Sequence, residues 1–254
     1  MSDAPAIATR ALTRRFGGLT AVRDVSIECR MAEVHAVIGP NGAGKSTLVN
    51  MLCGDLLPSA GAVELAGVDV TGAPAHRMSR LGVGRSYQKT NVFLPFTALE
   101  NCRIAAQSRL ASSMRFVRPA AANRTVNAAA ERALAAAGLE GREGTPVAAL
   151  SHGEQRQVEI AMVLATGPRV LLLDEPLAGM GAEESARIVT LLRRLARDHA
   201  ILLVEHDMDA VFAVATRLTV MVDGAVLESG APEAIRASRA VREAYLGAEE
   251  TALE

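Results

Sequence analysis

A glycine-rich segment over residues 39–47 has residue types suited to holding a phosphate group. It reads Gly-Pro-Asn-Gly-Ala-Gly-Lys-Ser-Thr, with four residues between Gly39 and Gly44. Lys45 and Ser46 follow at once. Glycines let backbone N–H groups close around an anion, because a Cβ would obstruct the approach. In a loop with this spacing the lysine reaches the β- and γ-phosphates and the serine hydroxyl binds Mg²⁺. The alternative is a glycine-rich turn that carries a lysine by chance.

The sequence on both sides supplies the strand and the helix that such a loop requires. The apolar run Val34 to Ile38 precedes the loop and predicts a buried strand. The run Thr47 to Leu52 follows it and predicts a helix. A helix in this place points the positive end of its dipole at the bound anion. We therefore expect a phosphate site in the order strand, glycine loop, helix.

Two acidic residues end another predicted strand. The apolar run Val170 to Leu173 is followed by Asp174 and Glu175, and such a run is typical of a parallel strand buried on both faces. Beside a phosphate-binding loop, Asp174 would hold Mg²⁺. Glu175 would polarise an attacking water as general base, a role worth about 10²–10⁴-fold in rate. The alternative for this pair is the N-cap of a following helix.

Two polar residues follow other predicted strands. Gln88 comes directly after a strand over Gly82 to Tyr87, and His206 comes directly after an apolar strand over Ala200 to Glu205. Ligand contacts gather at the strand ends of α/β folds, so both side chains are candidates for the site. Taken alone, such a glutamine is usually solvated and a lone histidine is usually structural, so both assignments depend on the neighbouring motifs.

Phe16 precedes the loop and is followed by two glycines. Strands are expected over Ile7 to Leu12 and Ala21 to Cys29, with a turn over Arg14 to Gly18. An aromatic ring on such a turn would stack on an adenine, an interaction worth about 1–3 kcal/mol per base. The alternative is a core anchor at a β-hairpin, and the spacing by itself favours that alternative.

The segment Leu150 to Gln155 opens a predicted helix. Ser151 and Glu154 have the spacing of a capping box, which explains both residues structurally. Capping does not explain Gly153, since a glycine in the first turn costs about 1 kcal/mol relative to alanine. A glycine there leaves backbone N–H groups open to an approaching anion.

Composition limits the class of protein. Half of the 254 residues are hydrophobic and the net charge is −1, which is typical of a globular chain and gives no electrostatic argument for a nucleic-acid partner. Residues 1–5 lack the regions of a signal peptide, and no apolar stretch is long enough to span a bilayer. The cysteines match no metal spacing, so we expect buried thiols at Cys29, Cys53 and Cys102.

Between Thr97 and Gly138 the chain changes to alanine-rich segments. Helices are predicted by propensity over Leu99 to Leu110 and Asn123 to Ala137. The basic and apolar piece between them, Ser112 to Pro119, would face a partner or a membrane surface, or would be a solvated connection. We expect a helical insert in an otherwise α/β chain.

In this order the motifs resemble the ATP-binding subunit of ATP-binding-cassette (ABC) transporters over nearly the full chain. The family's motifs match an A-loop at Phe16, Walker A at Gly39 to Thr47, the Q-loop at Gln88, the signature at Leu150 to Gln155, Walker B at Val170 to Glu175 and the H-switch at His206. A phosphate-binding loop alone would also fit a kinase or a GTPase. The signature after a helical insert is close to diagnostic.

The resemblance implies a single ABC ATPase domain of the α/β class over residues 1–254. Its fold would be a P-loop NTPase core with an antiparallel β subdomain and an inserted α-helical subdomain. We expect the nucleotide-binding core and β subdomain in residues 1–93 and the helical subdomain with the signature in residues 94–160. The rest of the core, with Walker B, the H-switch and the C-terminal helices, is expected in residues 161–254.

The resemblance also implies roles at the site. Glu175 would activate water, His206 would hold the γ-phosphate, and Gln88 would link the nucleotide to the helical insert. ATP would lie between Walker A of one cassette and the signature of another. The residues expected to contact ATP are Phe16, Gly39, Asn41, Gly42, Gly44, Lys45, Ser46, Thr47, Ser151, Gly153 and Glu154. The residues expected to hold Mg²⁺ are Ser46, Gln88 and Asp174.

Details of the sequence resemble one branch of the family, the importers of branched-chain amino acids and their relatives. They are the segments Arg15 to Val22, Leu150 to Gln155, Leu203 to Met208 and Glu243 to Gly247. Systems of this branch combine two ATPases with transmembrane permease subunits and a periplasmic binding protein. The chain resembles the longer ATPase, which implies a peripheral subunit on the cytoplasmic face of the inner membrane. Its ATPase partner would be a second copy or a related chain.

One departure and two alternatives remain. The segment Leu177 to Met180 stands where many relatives have Ser-Ala-Leu-Asp, so the group that couples the two ATP sites is left open. Urea and short-amide importers have similar ATPases, because other subunits read the cargo. A soluble ABC ATPase acting on DNA or ribosomes usually has two cassettes or a long coiled coil, whereas this sequence has one cassette and no heptads.

Overall fold

Two β-sheets and the helices packed on them make up the fold. The computed structural model describes residues 4–87, 91–110 and 122–244. Within these residues the strands are β1 (Ile7–Phe16), β2 (Leu19–Val25), β3 (Glu28–Cys29), β4 (Val34–Ile38), β5 (Ala60–Leu65), β6 (Val68–Asp69), β7 (Val83–Arg85), β8 (Val170–Asp174), β9 (Ala200–Val204), β10 (Arg217–Val222) and β11 (Ala225–Gly230). The helices are α1 (Lys45–Leu52), α2 (Ala75–Arg80), α3 (Ala98–Gln107), α4 (Arg124–Ala136), α5 (His152–Ala165), α6 (Ala182–Leu195), α7 (Met208–Val214) and α8 (Pro232–Ala237).

The first sheet is antiparallel and has the order β2-β1-β5-β6, with β3 paired to β1. β1 runs to Phe16 and not to the predicted Leu12, because Phe16 pairs with Leu19 across a tight turn. The prediction of a single strand over Ala21 to Cys29 is wrong. The segment forms two strands instead, since β2 ends at Val25 and β3 begins at Glu28. Asp24, next to the end of β2, has a left-handed conformation with φ 50°.

The second sheet brings the chemical residues to one edge. Its six strands have the order β11-β10-β4-β9-β8-β7, and the pairings from β10 through β7 are parallel. β4, β8 and β9 are buried along their whole length, which accounts for their unbroken apolar runs. Because parallel strands end at the same edge, the segments that follow β4, β8 and β9 meet there.

Three hydrophobic clusters hold these layers together. One joins α1 and α2 to strands of both sheets. A second joins α6, α7 and α8 to the other face of the parallel sheet, and a third joins α3, α4 and α5. α5 contributes to both the second and the third cluster, so it ties the helical insert to the core.

The predicted α/β class is confirmed, with an antiparallel β subdomain and an inserted helical subdomain. α3 and α4 lie where helices were expected, and the three cysteines are buried free thiols. The segment Ser112 to Pro119 lies outside the described residues. The division at residues 93 and 160 stays a prediction, and α5 continues through the second boundary. In the described part of the chain no helix has the length and apolar character to cross a membrane.

Candidate nucleotide-binding site

The loop before α1 leaves a helix end open. α1 begins at Lys45, its N-cap Gly44 has φ 93, and no side chain caps it. The first N–H groups of a helix have no partner within the helix, so these groups are available to the loop. An uncapped helix end beside a glycine-rich loop is an arrangement in which proteins bind phosphate.

Gly39 and Gly44 are required by close backbone packing as well as by conformation. A Cβ on Gly39 would lie 2.1 Å from Met221 O, and a Cβ on Gly44 would lie 2.3 Å from Ala21 O. The loop is therefore pressed against β10 and β2, which fixes its shape. Asn41 and the next residue are exposed at its tip.

Lys45 folds back over the loop. Its Nζ donates to Gly39 O at 2.7 Å and to Pro40 O at 2.9 Å. Burial lowers the pKa of Lys45, and the negative charges of Glu175 and Asp174 oppose that change. The ammonium thus lies in a polar space between the loop carbonyls and the acidic end of β8.

The donor set around this space fits Mg²⁺. Ser46 is exposed and Thr47 half-buried on the first turn of α1, and Asp174 ends β8 with 5 % of its surface exposed. Among the described residues, no group of three or more His, Cys, Asp or Glu side chains could hold a metal by itself. A sparse set is what Mg²⁺ uses, because it takes one or two carboxylates and completes its shell with substrate phosphates and water. Gln88, the third predicted ligand, lies outside the described residues.

Arg85 connects Asp174 to a second polar cluster. Its Nη2 lies 3.8 Å from Asp174 Oδ2, and its Nη1 lies 2.9 Å from Asp55 Oδ2. The guanidinium also stacks 4.6 Å from the centre of the Tyr87 ring and donates to Cys53 Sγ at 2.9 Å. Burial raises the pKa of Asp174, and the charge of Arg85 opposes that rise.

Glu175 has a strained backbone. Its φ is +48, a left-handed conformation that costs a residue with a side chain about 1–2 kcal/mol. Such strain collects at functional sites, where the surroundings hold it. Here the N–H of Glu175 donates to Val204 O at 2.8 Å. The N-cap alternative is excluded, since the next helix begins at Ala182 with Gly181 as its N-cap.

A buried ion pair on α5 contacts the segment that follows β8. Arg156 pairs with Glu159, and both side chains are about 5 % exposed or less. Arg156 donates to the Glu175 carbonyl at 2.7 Å, to Pro176 O at 3.2 Å and to Tyr87 O at 2.8 Å. Glu159 accepts from the N–H of Tyr87 at 3.1 Å. The helix that carries the signature is therefore fastened to the ends of β7 and β8.

The signature helix end is already satisfied within the chain. Ser151 and Glu154 form the predicted capping box. Glu154 also pairs with Arg142 at 3.0 Å. The expectation that Gly153 leaves its N–H open is wrong for the chain alone, because this N–H donates to Glu184 Oε1 at 3.0 Å. The N–H of Gly153 lowers the pKa of Glu184, so the carboxylate is held there as an anion.

Phe16 is exposed at the end of β1. Its residue is 45 % exposed, so the core-anchor alternative is wrong. The Arg14 guanidinium carbon lies 4.5 Å from the centre of the Phe16 ring. The structure thus leaves an aromatic ring partly exposed at the end of β1, as adenine stacking requires.

His206 lies two residues beyond the end of β9, and its side chain is 65 % exposed. In the sheet register Val204 pairs with both Val37 and Asp174, so the ends of β4, β8 and β9 are neighbours. The predicted residues on these ends are therefore brought to one edge. The hydrogen bonds and ion pairs of the described residues do not join Ser151 or Gly153 to residues 39–47.

Comparison with family models decides the family. A model described as ABC transporter matches residues 22–178. The chain belongs to this family. A second model, described as branched-chain amino acid ATP-binding cassette transporter, matches residues 225–251 of the cassette. The resemblance inferred from the motifs is confirmed.

Named relatives cover nearly the full cassette. It is 37 % identical to the high-affinity branched-chain amino acid transport ATP-binding proteins LivG of Salmonella typhimurium and BraF of Pseudomonas aeruginosa, over 96 % of this chain and 98 % of each relative. It is 33 % identical to the lipopolysaccharide export system ATP-binding protein LptB of Acidithiobacillus ferridurans, over 94 % of this chain and 95 % of that one.

A solved structure has the same fold. The cassette matches the ADP conformation of an ATP-binding cassette of an ABC transporter with a TM-score of 0.85 and 27 % identity. The match covers 95 % of this chain and 98 % of the other.

Sequence reasoning missed four charged residues that organise the site. They are Arg156, Glu159 and Glu205, which are buried, and Arg85, whose side chain is 10 % exposed. Glu205 directly follows the fully apolar strand β9. For Glu205 a signal was available, since a charge that continues a buried apolar strand is rare unless it is paired or hydrogen-bonded. Their partners were not available, because backbone carbonyl and N–H groups on other elements leave no mark in a sequence.

Proposed function

We propose that the cassette is the ATP-hydrolysing subunit of an ABC importer for branched-chain or other small amino acids. The observation that carries the proposal is the meeting of the phosphate loop, the acidic end of β8 and His206 at one edge of the parallel sheet. The relatives LivG and BraF, and the match over residues 225–251, support the amino-acid cargo. The related LptB is an ATP-binding protein of a lipopolysaccharide export system, whereas the C-terminal match to a branched-chain amino acid transporter model supports the importer.

The residues divide the chemical work among them. The N–H groups at the start of α1 and the Lys45 ammonium would bind the β- and γ-phosphates, and Phe16 would stack on adenine. Ser46, Asp174 and Gln88 would hold Mg²⁺, which when bound neutralises charge on the phosphate oxygens. Glu175 would take a proton from the attacking water.

A second cassette would complete each site. In a head-to-tail dimer, Ser151 and Gly153 of one copy would contact the γ-phosphate on the other. The Gly153 N–H would then exchange the Glu184 carboxylate for that phosphate. Contact with the γ-phosphate exists only before cleavage, so closing on ATP and opening after hydrolysis would drive the transport cycle. The second cassette would be another copy or a related ATPase.

A groove beside the site would receive the permease. A cavity of about 280 Å³ lies among α2, β7, α3 and α5 and includes Ser79, Arg85, Tyr87 and Met162 in its lining. Tyr87 directly precedes the Q-loop residue Gln88 in the sequence, so a permease segment in the groove would contact the chain next to the Q-loop. Such docking would place the cassette on the cytoplasmic face of the inner membrane as a peripheral subunit. The periplasmic binding protein would act on it indirectly, through the permease.

The test is recovery of the whole transporter. The tagged cassette is purified from detergent-solubilised membranes together with the subunits that accompany it. The recovered complex is reconstituted in liposomes with the periplasmic binding protein encoded beside it. ATP-dependent uptake of labelled leucine is then measured. We expect two permease subunits and a second ATPase, uptake that excess urea does not inhibit, and no uptake with Glu175→Gln. Uptake of urea in place of leucine would reassign the cargo. Recovery with ribosomes and without membrane subunits would overturn the transporter function.

A further inference from the structure

Glu205 is a buried carboxylate that the proposed mechanism does not use. Its side chain is 0 % exposed, and the residue directly follows β9, the strand that pairs with β8. Within the described residues His206 alone comes to ion-pair distance, with Nδ1 at 3.8 Å from Oε2, and its side chain is largely exposed. A buried charge without a close cation is costly, so this side chain must be held by other donors.

Those donors are backbone N–H groups of two different loops. Leu177 N donates to Glu205 Oε1 at 2.8 Å, and His206 N donates to Oε2 at 3.1 Å. Burial raises the pKa of Glu205, and the N–H groups of Leu177, His206 and Asp207 oppose that rise. One rigid carboxylate therefore joins the loop after β8 to the loop after β9.

Both joined loops carry groups assigned to the γ-phosphate. Leu177 lies two residues after the strained Glu175 and begins the segment in which many relatives have an aspartate that this chain lacks. Glu175 is already held by Val204 on one side and by Arg156 on the other. The hydrogen bond from Leu177 to Glu205 is a third attachment of the loop after β8, and it connects this loop to His206.

We propose that Glu205 is a positioning residue for ATP hydrolysis, which fixes the loop after Glu175 to the loop of His206 so that both side chains address the same γ-phosphate. The inference rests on the proposed function. A carboxylate suits the task because its two oxygens accept from two N–H donors at once. A glutamine offers one acceptor, and its NH₂ group would face an N–H donor.

The first experiment compares turnover with binding. In Glu205→Gln we expect kcat to fall about tenfold or more, since hydrogen bonds to a charged group are lost. ATP affinity, measured with a fluorescent analogue, should stay close to that of the parent chain. The matched control is Glu33→Gln, because Glu33 also accepts a backbone N–H, from Arg30 at 2.6 Å, but precedes β4 at the opposite edge of the sheet. That control should keep the parent kcat. An unchanged kcat in Glu205→Gln would overturn the proposal.

A double-mutant cycle separates positioning from plain stabilisation. If Glu205 acts through His206, then Glu205→Gln should lower kcat by less than about twofold when His206→Ala is already present. Equal losses in both backgrounds would show that Glu205 does not act together with His206, and would overturn the proposal. If Glu205→Gln does not fold, Glu205→Asp takes its place with the same criteria, because it keeps the charge and withdraws the oxygens.

A measurement independent of turnover uses the His206 ring. In chains that carry Glu175→Gln, so that ATP is not consumed, ATP should shift the NMR resonances of His206, which are assigned by their loss in His206→Ala. Adding Glu205→Gln should abolish that shift while ATP still binds. A shift of the same size would overturn the proposal. A parent chain without ATPase activity would instead overturn the proposed function, so the two failures are distinguishable.

Discussion

The N-termini of α1 and α5 carry similar residue types and are in opposite states. Each has a glycine and a serine within its first residues, Gly44 with Ser46 and Ser151 with Gly153. No side chain caps α1, whereas a capping box closes α5 and Glu184 takes the N–H of Gly153. A helix end with the composition of an anion site is therefore ready for a ligand only where the chain has not already satisfied its N–H groups.

The different states fit the different tasks proposed for the two ends. The end of α1 would bind the phosphates of a nucleotide held by its own chain, beside Lys45 and the acidic end of β8. The end of α5 would act only on a nucleotide held by a second cassette. Until a second cassette binds, the Glu184 carboxylate of the same chain accepts the Gly153 N–H. This negative charge stabilises the N-terminus of α5 in the absence of phosphate.

The largest expected effect separates binding at α1 from the chemistry beside it. Glu175→Gln should lower kcat about 10²–10⁴-fold, because the general base is removed. ATP should still bind, since the loop is intact, and closed ATP-bound dimers should accumulate. Phosphate release and size-exclusion chromatography with ATP measure the two outcomes. The control is Glu183→Gln, since Glu183 pairs with Arg187 on the surface. Unchanged turnover in Glu175→Gln would remove Glu175 from the base role.

The next prediction tests whether the N-terminus of α1 binds the phosphates of a nucleotide held by the same chain. Lys45→Ala should raise the Kd for ATP roughly 10- to 150-fold, the effect of losing a hydrogen bond to a charged group worth about 1.5–3 kcal/mol. Titration with a fluorescent nucleotide measures the Kd. Arg187→Ala, which removes an exposed cation from α6, should bind normally. A parent-like Kd in Lys45→Ala would contradict the assignment of the loop.

A third prediction uses two capping boxes of the same kind. Thr97 caps α3 with Glu100 just as Ser151 caps α5 with Glu154. Each change to alanine should lower the free energy of unfolding by about 1 kcal/mol, as loss of a cap does. Ser151→Ala alone should also lower ATPase activity, by about tenfold, through loss of a contact to phosphate. Equal activity in the two variants would show that Ser151 only caps its helix.

The smallest effect addresses Glu184. If its carboxylate competes with phosphate for the Gly153 N–H, Glu184→Gln should strengthen ATP-driven dimerisation about fivefold, because a neutral acceptor is held less tightly than a charged one. Dimerisation is measured by analytical ultracentrifugation in the Glu175→Gln background, with Glu183→Gln as control. Weaker dimerisation would mean that Glu184 orients Gly153 for the phosphate. The N-terminus of α5 would then be prepared for a ligand, as the N-terminus of α1 is.

The motif-bearing part of the fold was predictable. The unbroken apolar runs of β4, β8 and β9 predicted buried parallel strands, and their polar ends predicted one shared edge. The β1–β3 region was predicted less well. Alternation alone does not show that Asp24 bends the chain, nor that the turn after Phe16 is tight enough to extend β1.

The sequence by itself determined the family, the apolar strands with their polar ends and the capping box of α5, because these depend on residue types at fixed local spacing. Only the tertiary structure decided which of these groups are already occupied. Glu184 lies 31 residues beyond Gly153 in the chain and Glu205 lies 28 beyond Leu177. Each contact joins a side chain to a backbone N–H, and every residue except proline offers that same donor, so no residue type marks the partner.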